Sequence, residues 1–185
     1  VRSDRVTKHT EILKFWFEEI NSSQWWAKDE KFDKLIVDQF SDVHSKAIRC
    51  ELFEWRQTTD GRLAEIIVLD QFSRNMFRES ALSFAYDPLA LALSQEAVSV
   101  GADCKLNPSQ RHFLYMPFMH SESLVIHEIA MELFRKRGNQ DHLNFEIKHR
   151  DIIQKFGRYP HRNKILGRVS TEDEVIFLKA PDSSF

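Results

Sequence analysis

The chain has 185 residues, 42% apolar and 29% charged, the size and composition of one ordinary globular domain spanning 1–185. That excludes general disorder, a collagen-like chain and a disulfide-stapled miniprotein. With 26 Lys+Arg against 28 Asp+Glu the net charge is −2, which argues against a nucleic-acid binder, since such domains are strongly basic.

Apolar residues at 3- and 4-residue steps predict helices along the whole chain. The first covers about 10–20, with Ile12, Leu13, Phe15, Trp16 and Phe17 as its apolar residues. The Trp25-Trp26 pair anchors the turn after it. A second helix spans about 29–49 on Phe32, Leu35, Ile36, Phe40, Val43 and Ala47, and a short third carries Leu52, Phe53 and Trp55. The fourth, about 62–76, is apolar almost all round between Ala64 and Phe72, which marks it as central. Further helices follow at about 88–100, 108–119, 122–136, 140–156 and 171–178, with Pro117 expected to kink or end its helix.

Five Gly and five Pro act as helix punctuation. Gly61, Gly101, Gly138, Gly157 and Gly167 sit at segment edges, where a residue tolerant of positive φ is wanted. Pro88 and Pro108 follow Asp87 and Asn107, so each pair reads as an N-cap and a first helical residue. Ser121 reads as the N-cap of the helix near Glu122, and Ser170 with Asp173 as a capping box for the last helix. No segment alternates as a strand would. The expected fold is all-α: seven to nine helices in antiparallel pairs, stacked as a helical array. Gly61, Gly101 and Gly138 recur at intervals of 40 and 37 residues, a hint of a helix-pair repeat, although their flanking residues do not match.

Cys50 and Cys104 stand in no metal or redox spacing and read as free thiols in a reducing compartment. No apolar run approaches the roughly 20 residues needed to span a bilayer. Residues 1–11 lack the apolar core of a secretory signal. The expectation is a cytoplasmic protein with no metal, no cofactor, no membrane and no nucleic-acid partner. The 15 Phe sit at core spacing and are expected to fill the core.

Polar constellations interrupt this pattern. Asp70 and Arg74, four apart in Leu69-Asp70-Gln71-Phe72-Ser73-Arg74-Asn75, face each other on a helix, as do Gln71 and Asn75. Asp70 also shares a face with Leu63, Ile66 and Ile67, which draws a charge towards the core. It is either a structural ion pair or a ligand-facing one. His142, Phe145, His149, Ile152 and Phe156 follow 3-4-3-4 steps, so two histidines interrupt an apolar stripe, as core residues or as ligands. From Lys148 to Arg168 there are seven Lys/Arg and one acidic residue. Within that stretch, Arg158, His161, Arg162, Asn163 and Arg168 surround a turn. Its backbone NH groups with guanidinium forks make a candidate phosphate or carboxylate site. The alternative is a rigid corner in which these arginines pair with Glu172, Asp173 and Glu174. Finally, His120 and Glu122 could form an acid–base pair, while His127-Glu128 fails the HExxH zinc pattern because position 131 is Met131.

The LDQFSRN block (69–75), the MHSES stretch (119–123) and HRDIIQKFGRYPHRNKILGRVSTEDEVIFL (149–178) resemble a bacterial domain-of-unknown-function family with a tetratricopeptide-repeat-like fold. FWF at 15–17 and the Trp25-Trp26 pair match too, so the likeness covers nearly the whole chain. The resemblance implies an all-α helical-hairpin stack and no activity. The positions matching its motifs are Asp70, Gln71, Arg74, Asn75, His120, Glu122, His149, Arg158, His161, Arg162, Asn163 and Arg168.

Two functions follow. A binding module for a protein or peptide partner would present a groove lined by exposed aromatic, Asn or Arg side chains. An enzyme or binder of a small anionic ligand would instead bring Asp70/Arg74 and the 158–168 loop together at a solvent-open pocket. A third possibility is a buried polar network that only fixes the fold.

Overall fold

The structure, a computed structural model, describes residues 7–181 and 183. Residues 1–6, part of the polar start read as lacking a secretory signal, lie outside the described residues. Among the described residues there is no strand. α1 joins an α-helical His9–Lys14 to a π turn, Phe15–Glu19. α2 is Glu30–Ile48. α3 runs unbroken through Thr59–Ile67, a π turn at Val68–Phe72, and Ser73–Met76. α4 is Asp87–Ser99, α5 Pro108–Met119, α6 Leu124–Arg137, α7 Gln140–Phe156 and α8 Glu172–Leu178. Among the described residues that makes eight helices, an all-α array as expected.

Several boundaries differ from the sequence expectation for local reasons. The predicted third helix is a 3₁₀ turn, Phe53–Gln57, and α3 starts after it on Thr58, whose side chain accepts from the Gly61 amide. Asp87 is not an N-cap but the first residue of α4, behind Tyr86, so its carboxylate is released from capping. The capping box of α8 uses Thr171 and Glu174 rather than Ser170 and Asp173. α6 begins after Ser123 rather than Ser121. Pro117 does not end α5; the helix continues to Met119. Asn107 and Asn139 cap α5 and α7 through the amides three residues on. Gly101, Gly157 and Gly167 adopt positive φ, but Gly61 and Gly138 do not. Gly61 lies inside the first turn of α3 and Gly138 at the end of α6, so the 40- and 37-residue intervals join unlike positions and mark no repeat.

α3 is the central helix, as its all-round apolarity predicts: every residue from Leu63 to Ser73 is buried. Aromatic rings from three helices meet around it. Phe40 stands 4.8 Å from Phe15 and 5.0 Å from Phe72, and Trp16 lies 5.6 Å from both Phe72 and Phe113. Trp25 ties down the turn after α1 by donating to the Trp16 carbonyl at 2.9 Å. α4, α5, α6 and α7 each pack on the helix before, the stacking of consecutive helices that builds a helical array. A smaller apolar cluster of Ile152, Ile153 and Tyr159, with Phe156 and Phe177, fastens α8 to the end of α7.

Gly61 offers a sharp test of this packing. Its φ is ordinary, and alanine is normally favoured over glycine in a helix by roughly 1 kcal/mol. A Cβ here, however, would run into the Trp55 carbonyl of the preceding 3₁₀ turn. Gly61→Ala is therefore expected to lose about 1–3 kcal/mol of stability, as overpacking does, read as a lower urea midpoint. A gain in stability would show that the turn yields freely.

Candidate functional site

The π turn in α3 places Asp70 and Gln71 where they meet α5. Asp70 is 1% exposed, and its Oδ1 receives the His120 Nδ1 at 2.7 Å and an Arg74 Nη1 at 3.1 Å. Gln71 Nε2 donates to the other oxygen at 2.6 Å. Burial alone would push Asp70 up. The Arg74 charge and the His120 and Gln71 hydrogen bonds outweigh it and hold the carboxyl below the usual range. Arg74 reaches on from Asp70 to Asp87, gripping its two oxygens at 2.8 and 2.9 Å. This fork joins α3 to the start of α4, which explains why Asp87 does not cap.

Arg162 arrives from the 158–168 corner. Its Nη1 lies 3.4 Å from the Asp87 Oδ2 and its Nη2 donates to the His120 carbonyl at 3.1 Å. Its guanidinium packs 4.4 Å from the Phe84 ring centroid and 4.7 Å from that of Tyr159. The side chain is 7% exposed, and its Nε has no hydrogen-bond partner among the described residues. Burial and the neighbouring Arg74 charge both lower its proton affinity.

These groups border an open cleft of about 340 Å³ between α4, the end of α5 and the corner. Phe84, Pro88, Leu91, Pro117 and Leu166 form its apolar wall, and Asp87, His120, Glu122 and Arg162 its polar one. The turn carrying His120 is held unusually firmly. The carbonyls of Met119, His120 and Ser121, at the C-terminus of α5, accept from the Tyr159 hydroxyl, Arg162 and His127 Nε2 at 2.5, 3.1 and 2.8 Å. His127 is set by Glu146, 2.6 Å from its Nδ1, and both side chains are fully buried. Burial pushes Glu146 up, against the pull of the His127 hydrogen bond.

The other candidates separate. Arg158 forks onto Glu174 at 2.7 and 2.8 Å, and Arg168 onto Glu122 at 2.8 and 2.9 Å. Asn163 bridges Ser170, Glu174 and Arg168. These make the rigid corner that was the alternative reading, although Glu174 alone of the three acidic residues takes an arginine there. The NH groups of Arg162 and Asn163 close the three-residue turn Pro160–Arg162 and offer no anion site. His120 and Glu122 form no pair, because each takes a different partner. Gln71 and Asn75 do not face each other either; Asn75 donates to Asp33 at 2.8 Å, away from the cleft. His149 is buried and hydrogen-bonded to the Phe145 carbonyl at 2.7 Å, and burial lowers it to about 3. His161 packs 5.5 Å from Tyr159 and is lowered to about 3, by burial first and then by Arg162. The apolar stripe of α7 is rotated from the one predicted: Phe145 is 52% exposed, and Glu146, His149, Ile152 and Ile153 face inward. Asp87, Glu146, His127 and Tyr159 were the residues missed. Among the described residues no group of three or more His, Cys, Asp or Glu is arranged to hold a metal ion. Cys50 and Cys104 are free and exposed. No helix among the described residues is long and apolar enough to cross a membrane.

The family described as a bacterial protein of unknown function, DUF924, matches residues 12–182, a span that contains every residue of this site. The chain belongs to that family. Its fold is similar to the solved structure of a protein of unknown function, ATU0120, from Agrobacterium tumefaciens. The TM-score is 0.88 and the identity 38%, over 92% of this chain and 96% of that one. At that coverage the likeness takes in most of the helical array rather than a single helical hairpin. Among curated proteins no match is found.

The corner predicts an acid response. Arg158, then the Thr171 amide and Asn163, hold Glu174 down to about 2 from its ordinary 4.5. A carboxylate lowered on folding stabilises the fold above its unfolded value, and that contribution is lost as pH falls through the folded one. The melting temperature should therefore drop between about pH 4.5 and about pH 2. Glu174→Gln should melt lower at neutral pH and show a shallower drop over that window. Identical acid profiles for the two proteins would remove Glu174 from the corner's stability.

Proposed function

We propose that the chain binds a small molecule carrying a carboxylate or phosphate group, held in the cleft by Arg162. The carrying observation is the poor charge matching of that guanidinium. It is 7% exposed, yet its carboxylate contact is a 3.4 Å approach to an Asp87 oxygen that Arg74 already holds at 2.9 Å. A buried charge matched this weakly costs stability, and an oxyanion in the cleft would supply the missing partner in a fork geometry. The apolar wall suits a ligand with a compact hydrocarbon or ring portion beside its anionic end. Asp70 and Arg74 stand behind the cleft rather than in it, and reach it through His120 and Asp87, which line it together with Arg162 of the corner. A protein- or peptide-binding groove calls for several exposed aromatic, Asn or Arg side chains, whereas Phe84 is the one aromatic on this wall.

Thermal shift against inorganic phosphate, small dicarboxylates and phosphorylated metabolites tests this. A ligand at about 100 times its Kd adds roughly 2.7 kcal/mol. For a chain of this length that raises the melting temperature by about 5–10 °C. The shift should vanish in Arg162→Met, with circular dichroism confirming that the variant is folded. Stabilisation by neutral analogues as large as by the anions, or no shift with any anion, would overturn the proposal.

A further inference from the structure

We propose that the cleft is catalytic, with His120 as a general base and Asp70 as the residue that positions it. The substrate class is a small carboxylate or phosphate ester with an acidic O–H or C–H beside its anionic group. The inference rests on the anion site proposed above and adds a reaction to it.

The hydrogen-bond pattern fixes which nitrogen of His120 is available. Asp70 is an ionised carboxylate that already accepts from Arg74 and Gln71, so it can only accept from His120. The proton must therefore sit on Nδ1, 2.7 Å from the Asp70 oxygen, which leaves the lone pair on Nε2. The ring's one hydrogen bond among the described residues is that Nδ1 contact, and the side chain lines the cleft. Burial, and then the Arg74 charge, lower the imidazole below its ordinary 6.5, so it is neutral and able to accept at neutral pH. The three capped carbonyls of 119–121 keep the ring from swinging away, and one of the caps is Arg162 itself. The alternative base, Glu122, is tied to Arg168 and to the Tyr159 amide.

In the step, the ligand's O–H or C–H bond breaks and the proton passes to Nε2. The electron pair stays on the ligand atom, where Arg162 opposes the developing negative charge, and the Asp70 carboxylate matches the imidazolium. Asp70 does the work of the carboxylate in an Asp–His pair: it sets the tautomer and stays ionised.

Bromoacetate is the probe, because it joins an anion to an electrophilic carbon. With its carboxylate on Arg162, Nε2 would attack the CH₂ carbon, the C–N bond forming as the C–Br bond breaks and bromide leaves. Peptide mass spectrometry locates the carboxymethyl group, with the exposed Cys50 and Cys104 reporting reagent reactivity. His120 should react about tenfold faster with bromoacetate than with neutral bromoacetamide, relative to those cysteines, equivalent to about 1.4 kcal/mol of guidance by Arg162. Phosphate should protect it. Asp70→Asn should slow the labelling while leaving the phosphate-induced thermal shift in place; if that variant does not fold, the reagent ratio in the wild-type protein decides. Equal labelling by both reagents without phosphate protection would overturn the anion site and leave a reactive His120. No labelling at His120, with the phosphate thermal shift intact, would overturn the general base and leave the anion site. Failure of both would overturn both.

Discussion

Arg74 grips Asp87 with both Nη nitrogens and Asp70 with one of them, and this single guanidinium joins two helices and the histidine-bearing turn. Two carboxylates and a cation packed at the edge of a core tolerate no missing member, because an orphaned buried charge costs several kcal/mol. The π turn of α3 is part of the same constraint. It adds a residue to the helix just where Asp70 and Gln71 turn from the aromatic core towards α5. His120 is oriented through Asp70, Asp87 is drawn out of its capping role, and Arg162 meets the cluster at the His120 carbonyl and at Asp87.

The 158–168 corner then divides its arginines by environment. Arg158 and Arg168 each have a carboxylate to themselves, in Glu174 and Glu122; Arg158 and Asn163 lock α8 against the end of α7, and Arg168 ties the corner to the turn after α5. Arg162 has no carboxylate of its own. It shares Asp87 with Arg74, and its ring contacts and the His120 carbonyl do not neutralise it. The corner is thus scaffold on its outer side and ligand-facing on its inner one. Tyr159, between them, serves both: its hydroxyl caps Met119 and its ring packs on Arg162.

Much of the fold was legible because helix signals are local. The periodicity of α2, the all-round apolarity of α3, the Asn caps of α5 and α7, and Gly157 at the end of α7 depend on neighbours within a turn or two. The Asp70/Arg74 pair was legible for the same reason, as its spacing is four. What sequence could not supply was long-range choice of partner. Asp87 before a proline looks like a cap, and only the arrival of Arg74, 13 residues back, makes it an ion-pair hub. His120 was paired with the nearby Glu122, but takes Asp70, 50 residues away. Glu146 carried a signal, being a carboxylate one position off the predicted stripe of α7, but its meaning depends on His127 of α6. Whether each corner arginine met a carboxylate of its own was likewise a tertiary fact.

The reaction proposed for the cleft turns on His120 being neutral through burial and the Arg74 charge, with Asp70 fixing its proton on Nδ1 and the Nε2 lone pair left to the cleft. Long-range ¹⁵N–¹H NMR of the histidine rings, with His120 assigned by substitution, tests it directly at neutral pH. The account predicts a protonated Nδ1 and a non-protonated Nε2 for His120. An Nε2–H tautomer, or an imidazolium protonated on both nitrogens, would contradict it.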